Sequence, residues 1–470
     1  MQDLIIRNGR VIDWATHTDT VTDIAISGSR ISKVGHCEDK ANIEISADGL
    51  WVVPGIIDSH MHASSWLGGE KSMRMLAMAG VTTALEMAGP IESVKTFMKN
   101  AGTGLTIGCL EQIRPGYNVS SQSPSNEELE RVIETSLENG AFGVKLLGGH
   151  YPLTPEATAR LIRLCSDMKV YLAVHAGSTE NGSNILGMRE VIELADGIPF
   201  HLAHINAYCR GSIFGLDQEI CEASAMLLEH PEIDCESYLS PINGCSGTCR
   251  NGIPESGVTR NCLRSKGYAE TEVGLSDAIS AGFARVHKTE NGVVVLADRS
   301  EGLKLWKDAS TNIPVSFTVN PALSRFYFAT EKRPSGHFLV DSFCTDGGGI
   351  PRNVIIENGL SLVRFGAVTP EEFVLKSSFA AAELLGLPGK GRLQCGADAD
   401  ITVIDPIAQK AVHAFVAGRQ VLDAGVPTGG GGTLMTTSKG TKSAEEAGLH
   451  ACTSDIDLLF EHRLTRFRTK

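Results

Sequence analysis

The stretch VVPGIIDSHMH, Val52 to His62, limits what this chain can fold into more than any other. A run of Val and Ile bounded by polar residues reads as a buried strand of a parallel sheet. At a side-chain period of two, Asp58, His60 and His62 share one side of that strand. Two imidazoles on one face, at the carboxyl end of a strand, are a natural start for a metal site. With 14 histidines in the chain, the pair alone also fits two solvated loop residues. The flanking sequence has to decide.

With Pro54-Gly55 ahead of it and D-x-H-x-H at its end, this stretch resembles the signature of the amidohydrolase superfamily. The resemblance implies a metal-dependent hydrolase on a (β/α)8 barrel, and it recurs in order along most of the chain. The fold expectation is therefore α/β: a TIM-like barrel with a small composite β-sandwich domain built from both chain ends.

From about Val52 to 390, short Val/Ile/Leu runs alternate with helix-like segments, which means a parallel sheet. SNEELERVIETSLENG offers Ser125 or Asn126 as N-cap and Gly140 as stop. Thr154-Pro155-Glu156 places a cap before proline at the first helical position. The region exceeds the ~250 residues of a minimal barrel, and an insertion is expected at about 240–290, rich in Gly, Ser, Cys and Asn. Residues 1–51 read as short strands with an Asn8-Gly9 hairpin signal. ADITVIDP and VHAFVAGRQVLD, within 391–426, have the same character and are expected to complete the domain that 1–51 begins. Residues 427–470 open PTGGGGT and read as a flexible tail with a basic end.

A net charge of -13 argues against nucleic acid and anionic membrane surfaces as partners. No apolar run approaches a membrane span, and MQDLIIRNGR lacks the pattern of a signal peptide. Twelve scattered cysteines fit reduced thiols in a cytoplasmic protein. Free thiols are also the expectation for Cys235, Cys245, Cys249 and Cys262, whose spacing is loose for structural zinc.

In a barrel the chemistry sits at the carboxyl ends of the strands. The ionisable residues that end apolar runs are, in order, His60, His62, Glu86, Glu111, Lys145, His175, His204, Glu236 and Asp346. Lys145 is costly to bury unless paired or modified. His201 competes with His204 but faces the other side of its strand, and His204 lies nearer the carboxyl end. Asp341 competes with Asp346 but precedes a run that still reads as strand.

The resemblance implies roles for this set. His60, His62, Lys145, His175, His204 and Asp346 match the ligands of a binuclear centre. Lys145 stands where hydantoinases and dihydroorotases carry an N6-carboxylated lysine that bridges two metals; Glu86 and Glu111 are rival bridges. Asp58 gives support next to the ligands. Two divalent ions, zinc first and manganese, iron or cobalt as alternatives, lower the pKa of a bridging water and polarise a carbonyl. Asp346 serves as general base and then acid towards the leaving nitrogen.

The implied substrate is a small-molecule amide, first a cyclic one: hydantoin, dihydropyrimidine, lactam or imide. Arg114, Tyr117, His150, Tyr151, Asn206 and Tyr238 follow strand ends and are candidate substrate contacts. Dihydroorotases place an arginine just after H-x-H, where this chain has Ala63, Ser64, Ser65 and Trp66. The alternatives are a deacylase of linear N-acyl amino acids, and a catalytically inactive relative that serves in assembly. D-specific deacylases that bridge with a cysteine carry it after the second strand, where ALEMAGP has none. By resemblance the chain forms a dimer or tetramer.

Overall fold

The computed structural model describes residues 1–65 and 67–462, the last two by backbone alone. Trp66 and the basic end at 463–470 lie outside the described residues.

Both chain ends meet in one nine-stranded sheet. Gln2–Asp13, Thr18–Ser27, Arg30–Val34, Ala41–Ser46 and Trp51–Pro54 come from the start of the chain. Ile401–Asp405, Lys410–Val416, Arg419–Asp423 and Val426–Pro427 come from its later part. The seam is antiparallel, Val52 opposite Val403, and Leu4, Val11, Val52, Leu393, Ile401 and Phe415 bury its apolar face. Asn8-Gly9 is not the hairpin turn that the dipeptide suggests. Asn8 is left-handed and the register slips between Ile6 and Gly9, so the dipeptide forms a bulge within one continuous strand. The chain reverses further on, between Asp13 and Thr18.

Among the described residues the barrel strands are Ile56–His62, Val81–Glu86, Thr103–Ile113, Gly143–Leu147, Tyr171–His175, His201–Leu202, Asp234–Tyr238 and a broken eighth. Each neighbouring pair is parallel. The eighth strand breaks at Asp346. Its first half, Ser342–Cys344, pairs with the seventh strand, and Gly347–Gly348 pairs with the first, which closes the ring. Side chains of Ile57, Leu85, Leu110, Phe142 and Tyr171 join one buried cluster with Ala381 of a late helix and Leu385 at its end. The helix Asn126–Glu138 starts at Ser125, which forms a reciprocal capping box with Glu128. Thr154 caps the next helix, with Pro155 inside its first turn.

The insertion follows the seventh strand and runs further than the composition indicated. Ile242–Ser246, Ala284–Glu290, Val293–Leu296 and Pro314–Thr318 form a four-stranded sheet. Pro314–Thr318 pairs with both Ile242–Ser246 and Ala284–Glu290, so a boundary near 290 would divide the sheet. Cys245, Cys262, Leu275, Trp306 and Phe317 share its core.

The expected flexible tail is folded onto the barrel. Gly431–Thr436 pairs in parallel with Thr103–Gly108 of the third strand, and His450–Thr453 adds to its other side. The reason lies in strand length. The fourth strand reaches only Leu110–Ile113 of its neighbour, which leaves the earlier backbone groups on that edge for the tail to take. Met435 and Leu459 then enter the cluster at the barrel base. Glycine-rich composition signalled a linker; an open strand edge overrode it. No helix among the described residues is long and apolar enough to cross a membrane.

Candidate active site

The carboxyl ends of the first and eighth strands bring three ligand-type side chains together. Asp346 Oδ1 lies 2.9 Å from His62 Nε2 and 3.6 Å from His60 Nε2. Their ligand atoms all fall within 4.8 Å of one another. Asp58 stitches the same two strands: its carboxylate accepts from the backbone N–H groups of His60 (3.3 Å) and Thr345 (3.0 Å) and from the Thr345 hydroxyl. Burial pushes the Asp58 carboxyl up to about 7. Asp346 itself sits at φ 47°, a strained setting for a non-glycine residue that recurs at functional sites. Gly348 adopts φ 66°, and a Cβ there would strike the His62 backbone, as one on Gly349 would strike Leu67. These glycines let the last strand press onto the end of the first and the loop that follows it.

A second pair faces this group. His204 Nε2 and His175 Nδ1 are 3.1 Å apart, and the His60 and His204 rings stack with centroids at 5.0 Å. Lys145 is fully buried, and the contact its Nζ makes is with Met87 Sδ at 3.1 Å. Burial lowers its ammonium to about 8, while Glu236, Asp346 and Glu86 act in the opposite direction. The structure thus brings all six expected ligands to one end of the barrel.

The imidazoles are set for ligation. Burial holds His60 at about 4, with Lys145 adding to the shift, and puts His175 and His204 well below the usual range. All three are neutral with a lone pair to offer. His62 differs: burial disfavours its cation, but Asp346 and Glu86 outweigh that and raise it to about 9. Burial disfavours the Asp346 anion, but Arg352, His62, His60 and His204 hold its carboxyl well below the ordinary value. Among the described residues the Nδ1 atoms of His62 and His204 are buried without a hydrogen-bond partner, that of His62 lying 3.7 Å from Glu86 Oε1. Neutral, convergent imidazoles around a carboxylate and a buried amine fit a divalent-metal centre.

Supporting residues went unassigned in the sequence. Glu236 is the hub: its carboxylate takes His60 Nδ1 at 2.6 Å, His201 Nε2 and the His204 backbone N–H at 2.9 Å. Burial alone would raise its carboxyl, but His201 and His60 hold it well below the normal range. His201 is thus buried beside the site rather than in it. Ser183 Oγ holds His175 Nε2 at 2.7 Å, and a Cβ on Gly149 would crowd that same nitrogen. The acidic strand end in IDCESY signals Glu236; nothing in the sequence marks Ser183 or Arg352.

The rivals are otherwise employed. Glu86 accepts the N–H groups of Ala63 (3.3 Å), Ala88 (2.8 Å) and Gly89. Glu111 accepts from Ile91 N at 2.9 Å, and burial raises it to about 7. Both brace the loop after the second strand. Asp341 accepts from Cys235 N at 2.9 Å, at the start of the eighth strand.

Of the substrate candidates, four gather beyond the third and fourth strands. The Arg114 guanidinium lies 4.2 Å from the centroid of Tyr151 and 5.8 Å from that of Tyr117. His150 meets His175 edge-on at 5.4 Å. Asn206 and Tyr238 are instead buried frame residues. Asn206 Oδ1 accepts from Tyr238 N at 3.0 Å, and the Tyr238 hydroxyl donates to Asn320 Oδ1 at 3.0 Å. All twelve cysteines are free thiols. Among the described residues no ligand-type group forms around Cys245, Cys249 and Cys262.

Comparison with known proteins agrees with the barrel fold. The amidohydrolase family matches residues 51–191 and 268–429, more than half of the chain. An allantoinase of Salmonella choleraesuis is 40% identical over 90 residues, which cover 18% of this chain. The chain thus spans 19% of the length of that curated relative. Among solved structures, a D-aminoacylase described by its binuclear metal centre superposes with a TM-score of 0.67 at 17% identity, covering 92% of this chain and 99% of that one. A D-hydantoinase superposes with a TM-score of 0.59 at 14% identity, covering 93% and 99%. At such identities the likeness is one of fold. On the family match, the chain belongs to the amidohydrolase family, a family of hydrolases acting on carbon–nitrogen bonds.

Proposed function

We propose that the chain is a metal-dependent amidohydrolase that opens a cyclic amide: a hydantoin, dihydropyrimidine, lactam or imide. The observation that carries this is Lys145, buried among the six convergent ligand candidates with no hydrogen-bonded carboxylate among the described residues. With its ammonium lowered to about 8, roughly a tenth of the amine is neutral at pH 7, against about one in several thousand at pKa 10.5. A neutral amine adds to CO2, forming an N–C bond and releasing one proton, to give a carbamate with two ligand oxygens. His60, His62 and Asp346 would hold one ion and His175 and His204 the second, with carboxylated Lys145 between them. Two such ions, zinc first by ligand type, would supply Lewis acidity to the amide carbonyl and acidify a water.

The rest falls to the chain. Asp346 is ionised and faces the histidines, so it can take the proton of the attacking water and return it to the leaving nitrogen. Arg114, Tyr117, His150 and Tyr151 would line the approach. The allantoinase resemblance supports a ring substrate. A second reading, hydrolysis of linear N-acyl amino acids, draws support from the higher TM-score to D-aminoacylase. The retained ligand set counts against an inactive assembly protein. Free thiols support a cytoplasmic setting, and family resemblance a dimer or tetramer. A ring-opening panel at neutral pH decides between substrates. Turnover of a cyclic amide supports the first reading; turnover of acyl amino acids alone replaces it with the second.

A further inference from the structure

The loop after the broken eighth strand buries a guanidinium whose every arm is engaged. Arg352 is fully buried. Its Nε donates to Thr345 O at 2.7 Å and its Nη1 to Ile242 O at 2.7 Å. Its Nη2 pairs with Asp346 Oδ2. The flat face lies 4.8 Å from the centroid of Tyr238, whose hydroxyl is itself fixed by Asn320 and Arg210. Among the described residues, Asp346 is the one carboxylate in ion-pair range of this cation. A buried arginine is tolerated only when paired, so cation and carboxylate hold each other in place.

The consequence falls on how Asp346 presents itself. A carboxylate turns easily about its last torsion. Here Oδ2 is held by Arg352, and Oδ1 alone points to His62 at 2.9 Å and His60 at 3.6 Å. We infer that Arg352 is a positioning residue that commits Asp346 to using a single oxygen, Oδ1, for ligation and proton transfer. The same guanidinium ties that geometry to the insertion, because Ile242 opens the insertion's first strand. Lysine cannot replace it, since three divergent acceptors need the planar fork. The inference concerns a residue of the proposed hydrolase and so rests on that reading for its catalytic half; the metal-binding half stands apart from it.

Arg352→Ala and Arg352→Lys test it, with Arg352→Gln as a milder variant should those two fail to fold. Zinc affinity is read by competition with a chromophoric chelator, and kcat and KM on whichever amide the wild-type protein hydrolyses. The expected result is zinc affinity about 10- to 100-fold weaker and kcat about 10²-fold lower, with KM near the wild-type value. Methylguanidinium added during zinc loading should restore part of both to Arg352→Ala, while Arg352→Lys stays impaired. A folded variant with wild-type zinc affinity and no response to methylguanidinium would overturn the inference, even if its melting temperature fell. If the wild-type protein hydrolyses no amide, the proposed function fails, and zinc affinity still decides the role of Arg352.

Discussion

His175 Nδ1 and His204 Nε2 face each other at 3.1 Å, two ring nitrogens from adjacent strands turned to one point. Ser183 makes this possible on one side. By holding His175 Nε2 at 2.7 Å it leaves Nδ1 free to ligate. Ser183→Ala should therefore weaken the second metal by about 10- to 100-fold while the fold is kept. Metal titration of the purified variant beside the wild type reads this out, and unchanged affinity of the second site would contradict it.

Glu236 serves His60, His201 and the His204 backbone at once. Glu236→Gln keeps the shape but replaces a carboxylate oxygen that accepts a ring N–H with an amide nitrogen that cannot. Losing a buried hydrogen bond to a charged group costs about 1.5–3 kcal/mol. The variant should unfold at clearly lower denaturant concentration and bind metal weakly. A denaturation curve that overlays the wild type would show that the hub matters little.

Lys376 gives a pH-dependent case away from the site. It is buried, donates to Val340 O at 2.9 Å, and lies over Phe338 and Phe343. Burial lowers its ammonium from 10.5 to about 7, with Asp341 opposing the shift. Between those values the unfolded chain binds the extra proton, so the penalty is full below about pH 7 and fades as pH rises towards 10.5. Lys376→Met should be more stable than wild type at pH 6. Near pH 10 it should be slightly less stable, because the Val340 carbonyl has lost its donor. Denaturant midpoints at the two pH values check the change of sign.

Truncation before Gly431 tests the tail. It would uncover the Thr103–Gly108 edge and the cluster that takes Met435 and Leu459. An exposed strand edge over an apolar base predicts aggregation. A monodisperse truncated protein of wild-type stability would mean that the tail adds nothing to the barrel.

His60, His62, His175, His204 and Asp346 stand out in the sequence as candidate ligands because each ends an apolar run, which is a local pattern. Lys145 stands out because it lies inside one. Composition misled at 427–436, where the partner is an open edge more than 300 residues away. It misled again at Asn8-Gly9, where tertiary pairing made a bulge of a turn signal. Ser183 and Arg352 act through geometry that no periodicity encodes. Asn206 and Tyr238 look like loop-end contacts in sequence, yet they hydrogen-bond each other inside the frame.

The proposed hydrolase requires a two-metal centre bridged through Lys145. The most direct test is metal per chain by elemental analysis, on protein purified without chelator in the presence of zinc and bicarbonate. About two divalent ions per wild-type chain are expected, and about one or fewer in Lys145→Ala. One ion in the wild type, unchanged in Lys145→Ala, would contradict the bridge. None at all would contradict the metal centre itself.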